Sequence, residues 1–174
     1  MKLILKKIIV VLALFFVNFN LNADVPSYVD FKYILNQSTA GKKAQNFLKN
    51  KLEQGLKKLS EQEKNILKEE KQIIEQKKLI KPDEYKNKVD ALRTKVLNLQ
   101  KERDKLLKSV SEQRLVARNE LLKNLNPIIS EYMQEKKIRM VVDKKSILLA
   151  DQKLDITKQI IELLNKKLKS IKLN

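Results

Sequence analysis

The side chains in this chain that could do chemistry are carboxylates and amines. Its 174 residues hold 21 Asp and Glu and 38 Lys and Arg, with no histidine, cysteine or tryptophan. Paired carboxylates such as Glu69 and Glu70 could in principle act as acid and base. Each, however, stands among lysines on a helical stretch, where such spacing produces a solvated face. No Gly-rich loop is present to cradle a phosphate, and no cluster has metal-ligand spacing. The expectation is a protein without enzymatic activity, cofactor or metal.

The amines say more. Lys64, Lys68, Lys101, Arg103 and Lys105 recur along two long charged stretches, and the formal net charge is +17. Any one of these groups reads first as part of a solvated helix face. Together they direct the chain toward anionic surfaces: acidic polypeptides, phospholipid headgroups or lipopolysaccharide. Nucleic acid is the least expected partner, because no recognition motif accompanies the charge and the N-terminus signals export.

Lys2, Lys6 and Lys7 precede an apolar run from Ile8 to Val17, followed by a polar stretch ending at Ala23. This fits a signal peptide cut between Ala23 and Asp24, with Leu21 bulkier than the small residue preferred at its position. A retained membrane anchor needs about 20 apolar residues, and Asn18, Asn20 and Asn22 interrupt this run. Cleavage would remove three of the 38 basic residues and no acid, leaving 35 against 21, or +14. An exported chain without cysteine is held together by packing or self-association, since it has no disulfides.

The elements that carry the charges are helices. From Gln45 to Ile80 apolar residues recur every seventh position at Leu52, Leu59, Ile66, Ile73 and Ile80, one edge of a coiled-coil seam. The other edge falls on Gly55, Gln62, Glu69 and Gln76, so it is polar or missing. A second helix follows Val89, Leu92, Val96, Leu99, Leu106 and Val110 to Ala117, interrupted by Arg103 and Gln113. Lys81-Pro82-Asp83-Glu84 reads as a reversal, with Pro82 at the first helical position. An antiparallel hairpin of roughly 50 Å is predicted from 1.5 Å per residue.

At its base a small body is expected. Residues Ser27 to Ile34 alternate, with Val29, Phe31 and Tyr33 on one face, as in a half-buried strand. Ser38 or Thr39 is offered as the next helix cap. Pro127 should bend the second helix where Leu121, Leu125, Ile128 and Ile129 thicken its stripe. Ile138 to Val142 and Ile147 to Ala150, around Asp143-Lys144-Lys145-Ser146, predict a β-hairpin. Asp155 is the expected cap of a last amphipathic helix. The organisation is then a signal peptide at 1–23, a discontinuous body at 24–44 and 127–174, and an arm at 45–126 with its tip near 80–84. The fold class is α+β and mostly helical. A body with three short strands is too small to stand alone, so it should self-associate.

VDFKYILNQSTAGKKA from Val29 to Ala44 and IRMVVDKKSILLADQKLDITKQII from Ile138 to Ile161 resemble the Skp, or OmpH, family of trimeric periplasmic chaperones. The resemblance spans essentially the whole chain after the signal peptide. It implies three subunits joined by their strands into a small central barrel, with three helical hairpins hanging around a cavity. The cavity holds unfolded outer-membrane β-barrel proteins without ATP. Val29, Phe31, Tyr33, Val141, Val142, Ile147 and Leu149 are then expected in the core or between subunits. Leu67, Ile74, Leu79, Ile80 and Tyr85 become candidates for touching apolar client segments, with the five basic residues above drawing in acidic ones. Two other readings stand beside this one: a structural coiled-coil adaptor of the envelope, and a basic protein that binds anionic lipid or lipopolysaccharide.

Overall fold

A computed structural model describes residues 25–173. The expected cleavage point, Ala23 and Asp24, lies outside the described residues. The elements are β1 (Ser27–Val29), α1 (Phe31–Gln37), α2 (Thr39–Gln76), α3 (Pro82–Lys136), β2 (Val141–Asp143) and α4 (Thr157–Lys167), with 3-10 turns at Lys144–Ser146 and Gln152–Leu154. Long helices with one small strand pair make the mostly helical α+β fold expected from the sequence.

The expected first strand is cut short at Val29. Asp30 accepts a hydrogen bond from the Tyr33 N–H at 2.8 Å and caps α1. Phe31, Ile34 and Leu35 then fall at steps of three and four, a pattern a short helix satisfies as well as a strand does. Ile34 is fully buried, Phe31 and Leu35 are partly buried, and Tyr33 turns half outward.

Just beyond α1, the Ser38 hydroxyl accepts from the Gly41 N–H at 3.2 Å and caps α2. The corner between the helices is tight. A Cβ on residue 41 would overlap the Leu35 carbonyl oxygen, so only glycine fits.

The 38-residue α2 and 55-residue α3 run as an antiparallel pair. The reversal falls at residues 77–81, earlier than expected, because the Leu79 and Ile80 N–H groups both bond back to the Gln76 carbonyl and tighten the chain there. Pro82 does open α3, with Asp83 and Glu84 in its first turn. Farther on, α3 passes through Pro127 as one helix, and Ile128 and Ile129 directly after it are buried in the core. Lys137, at φ 57° and ψ 30°, ends it.

The predicted β-hairpin does not form. β2 pairs instead with β1, in parallel, with Ser27 opposite Val141 and Val29 opposite Asp143. Asp143 caps the Lys144–Ser146 turn through the Lys145 N–H, and residues 147–150 continue without strand structure. The expected C-terminal helix is present, and the Asp155 carboxylate accepts from the Thr157 N–H at 2.9 Å in its first turn.

The first and last elements of the described residues meet at the root of the helix pair. Ile156 N–H bonds to the Tyr28 carbonyl, Asp30 N–H to the Thr157 hydroxyl, and Thr39 N–H to the Asn165 side-chain oxygen. Beneath these bonds lies the core, built from Val29, Ile34, Ala40, Leu121, Leu125, Ile128, Ile129, Ile156, Ile160 and Leu164. Every element except β2 contributes a fully enclosed residue, and β2 reaches the core through the partly buried Val141.

Candidate functional site

The helix pair has a seam but little interior. Leu59, Ile73 and Val110 are buried along it, with Leu48 and Ala117 nearer the root, while Leu52, Ile66, Leu92, Leu99 and Leu106 are half-buried. Gly55, which leaves a gap in the sequence pattern, is a hole that the Leu106 side chain fills. Between these layers polar groups span the helices. Lys95 Nζ meets Glu69 Oε2 at 2.6 Å, Arg103 meets Glu63 at 3.6 Å, and Gln62 donates to Glu102 at 3.2 Å. Such half-exposed pairs contribute about 1 kcal/mol or less each. The other Gln62 side-chain atom, Oε1, is buried without a hydrogen-bond partner. The pair is therefore held by a thin, partly polar seam.

What it does not bury is informative. Leu67, Ile74 and Leu79 are 51%, 59% and 82% exposed. Three of the candidate contact residues thus stand free of the seam, and Lys64, Lys68, Lys101 and Lys105 are exposed along the same helix pair. Ile80, Tyr85 and Arg103 are placed differently. Ile80 and Tyr85 are half-buried at the tip, where the Lys77 ammonium stands 5.8 Å from the Tyr85 ring, and Arg103 lies on the seam facing Glu63. Val96, expected in the seam, is about half exposed, and Leu97, Leu107, Leu115 and Val116 are exposed too. The latter four fall off the three-four pattern, and that is the signal the sequence offers for them.

The residues expected at the body fall into two groups. Val29 is fully buried, and Phe31, Val141, Val142 and Ile147 are partly so. Tyr33 and Leu149 are exposed, Leu149 by 92%, beside Leu148 at 103%. Met140 and Val25, flanking the strand pair, are more than half exposed. An apolar surface of this kind thus surrounds a two-stranded sheet in which β1 is bridged on its other side by Asp155, while the outer edge of β2 carries no further strand among the described residues. Among these residues no helix is long and apolar enough to cross a membrane, and no group of His, Cys, Asp and Glu could hold a metal ion.

Comparison with known proteins agrees with this architecture. The crystal structure of a candidate outer membrane chaperone (OmpH-like) from Caulobacter crescentus CB15 superimposes with a TM-score of 0.79, covering 86% of this chain and 90% of that one. At 21% identity this likeness concerns the fold. No curated protein sequence matches the chain. The model of the OmpH family, outer membrane protein (OmpH-like), matches residues 27–164, from the first residue of β1 into α4. With the helix pair, the strand pair and most of the closing helix inside that match, the chain belongs to the OmpH-like family.

Proposed function

We propose that this protein is an ATP-independent periplasmic holdase that binds unfolded outer-membrane proteins between helical arms and keeps them from aggregating. The observation that carries the reading is the exposure of Leu67, Ile74 and Leu79 on a charged helix pair that has no core to bury them in. Membership of the OmpH-like family supports it. A holdase acts by mass action: binding lowers the free concentration of the unfolded client, and many weak contacts permit release to a more stable destination. Exposed apolar side chains supply short-range contacts, and the exposed lysines of the helix pair supply long-range attraction.

The same reading includes a homotrimer joined through the body at 24–44 and 127–174, from which three arms at 45–126 extend. Its support is the exposed Leu148, Leu149, Met140 and Val25 around two three-residue strands. A sheet so small is unstable without further strands, and an open edge with apolar neighbours, as on β2, is ordinarily covered.

The deciding experiment dilutes a urea-unfolded outer-membrane barrel protein into buffer with and without the chain from Asp24 onward, following turbidity and complex mass. Suppressed turbidity and a complex of three subunits per client are expected. Turbidity that is unchanged across a range of salt concentrations would refute the holdase.

One feature favours a second activity. Leu79, among Lys77, Lys78 and Lys81, is an apolar side chain in a basic tip, a combination suited to anionic lipid or lipopolysaccharide. Flotation with anionic but not neutral liposomes tests it separately.

A further inference from the structure

At the root of the helix pair, where α1 turns into α2 opposite α3, lies an open groove of about 570 Å³. We propose that this groove binds an extended polypeptide segment in which apolar and acidic side chains are neighbours, an inference that rests on the holdase reading and gives it a defined contact point.

The floor is apolar, made by Leu35, Ala44, Leu48, Ala117 and Leu121. It exists because Gly41 lets α1 and α2 meet without a side chain between them. On the α3 side stand Arg114 and Arg118, one helical turn apart and both exposed. Neither guanidinium is in an ion pair among the described residues, although most long-range pairs elsewhere on the molecule are satisfied by a lysine or by Arg103. Two unpaired arginines at the mouth of an apolar groove are complementary to carboxylates, which guanidinium binds in a planar, bidentate manner.

The opposite side decides between a peptide and an acyl chain. It carries the amides of Asn36, Gln45 and Asn46. Gln45 Nε2 donates to Asn36 Oδ1 at 2.5 Å, which leaves the Asn36 amide N–H groups and the Gln45 side-chain oxygen available to other partners. A donor and an acceptor side by side match the N–H and C=O of a peptide backbone. A peptide backbone can bond to both, whereas an acyl chain can bond to neither. In an extended segment, successive side chains point to opposite faces. One can reach the floor while its neighbour meets Arg114 or Arg118.

The test uses fluorescence anisotropy at low salt with a fluorescein-labelled peptide alternating leucine and aspartate, and a second peptide alternating leucine and asparagine. The chain from Asp24 onward is compared with Arg114→Gln/Arg118→Gln and with Lys169→Gln/Lys172→Gln, which loses equal charge on the exposed C-terminal tail. Two surface charge contacts correspond to about tenfold in affinity. The arginine variant should weaken the acidic peptide by about that factor and leave the asparagine peptide within about twofold, while the tail variant changes both by less than about twofold.

An equal loss in both variants, or none in either, overturns the site. So does laurate displacing the acidic peptide while binding more tightly, which would make the groove an acyl site. A changed oligomeric mass of the arginine variant in sedimentation likewise overturns it, since the groove would then be covered by a second copy. Far-UV circular dichroism of each variant confirms that it remains folded. The aggregation assay separates the two levels: suppression by the native chain without peptide discrimination sinks the groove alone, whereas discrimination without suppression leaves the groove standing and sinks the holdase.

Discussion

Leu106 lies over Gly55 so closely that a Cβ on residue 55 would fall 2.5 Å from its Cδ2 and 2.7 Å from its Cδ1. A glycine in mid-helix costs about 1 kcal/mol relative to alanine. Here the cost is offset by letting α3 approach α2 and seat a leucine. Gly55→Ala recovers the helix propensity while displacing only the flexible end of Leu106, so its net effect should lie within about 1 kcal/mol of zero. Gly55→Leu fills the hole outright and should destabilise by about 1–3 kcal/mol. Urea denaturation at one fixed protein concentration reads both, and a Leu variant as stable as the native chain would show that the helices do not meet here.

Two helical turns farther along α2, the seam has the opposite defect. Gln62 donates to Glu102 but leaves Oε1 buried and unbonded. An unmet buried acceptor costs about 1–3 kcal/mol. Gln62→Leu removes it and leaves Glu102 exposed to water, so the variant should be more stable by about 1 kcal/mol. Amide hydrogen exchange across residues 58–66 should slow correspondingly. If the holdase depends on helices that can part, the same variant should protect a narrower range of client sizes, and the turbidity assay with a small and a large client measures that.

At the α1–α2 corner no flexible atom can give way. The group that a methyl on residue 41 would strike is the Leu35 carbonyl, which belongs to the backbone. Gly41→Ala should therefore cost about 2–4 kcal/mol. Because Ile34 and Ala40 flank the corner and both lie in the core, the loss should appear in the global unfolding transition. A change confined to local exchange near residue 41 would contradict this.

These corners and caps mark the limit of what the sequence discloses. Ser38 as a cap, Pro82 as a helix start and the seven-residue spacing of Leu59, Ile66 and Ile73 are local patterns, and each corresponds to an observed element. Val29 and Val141 are harder, because the strands they occupy pair in parallel and are separated in sequence by the whole helix pair. Nothing near Val141 announces a partner that distant, so the adjacent Ile147–Ala150 segment is the natural but wrong choice. Asp30 misleads for another reason: its alternation with Lys32 suits a strand, yet its carboxylate is also an ideal cap, and the buried Ile34 favours the helix. Of the candidate site, Leu67 and Ile74 are legible as leftovers of the seam. The groove beside Arg114 and Arg118 is not, since it requires three helices to meet.

Lys137 ends α3 in the left-handed region at φ 57°, the one non-glycine residue with positive φ among the described residues. Its N–H bonds to the Gln134 carbonyl and the Ile138 N–H to that of Met133, the two bonds of a Schellman motif. Met133 and Ile138 both pack against the core, so the motif is anchored by apolar contact. Lys137→Gly removes the Cβ strain and should stabilise by about 0.5–1 kcal/mol, whereas Lys137→Val should lose more than that. Thermal unfolding of the two variants orders them, and a reversed order would mean that the lysine side chain matters more than its backbone.

Leu148 and Leu149 stand almost wholly in water beside a sheet of two strands. Burying a leucine side chain contributes about 1.5–3 kcal/mol, so two of them in each of three subunits would make a large share of a trimer's association energy. Neither touches the core of its own chain, and aspartate at both positions should leave the fold of the single chain intact. If the proposed trimer forms through these residues, Leu148→Asp/Leu149→Asp should sediment as a monomer with unchanged far-UV circular dichroism at concentrations where the native chain self-associates. Under the proposed holdase function clients should then be held less well, because one helix pair alone encloses no cavity. A double variant that stays trimeric would move the subunit contact away from residues 147–150, to the strand edges and Met140.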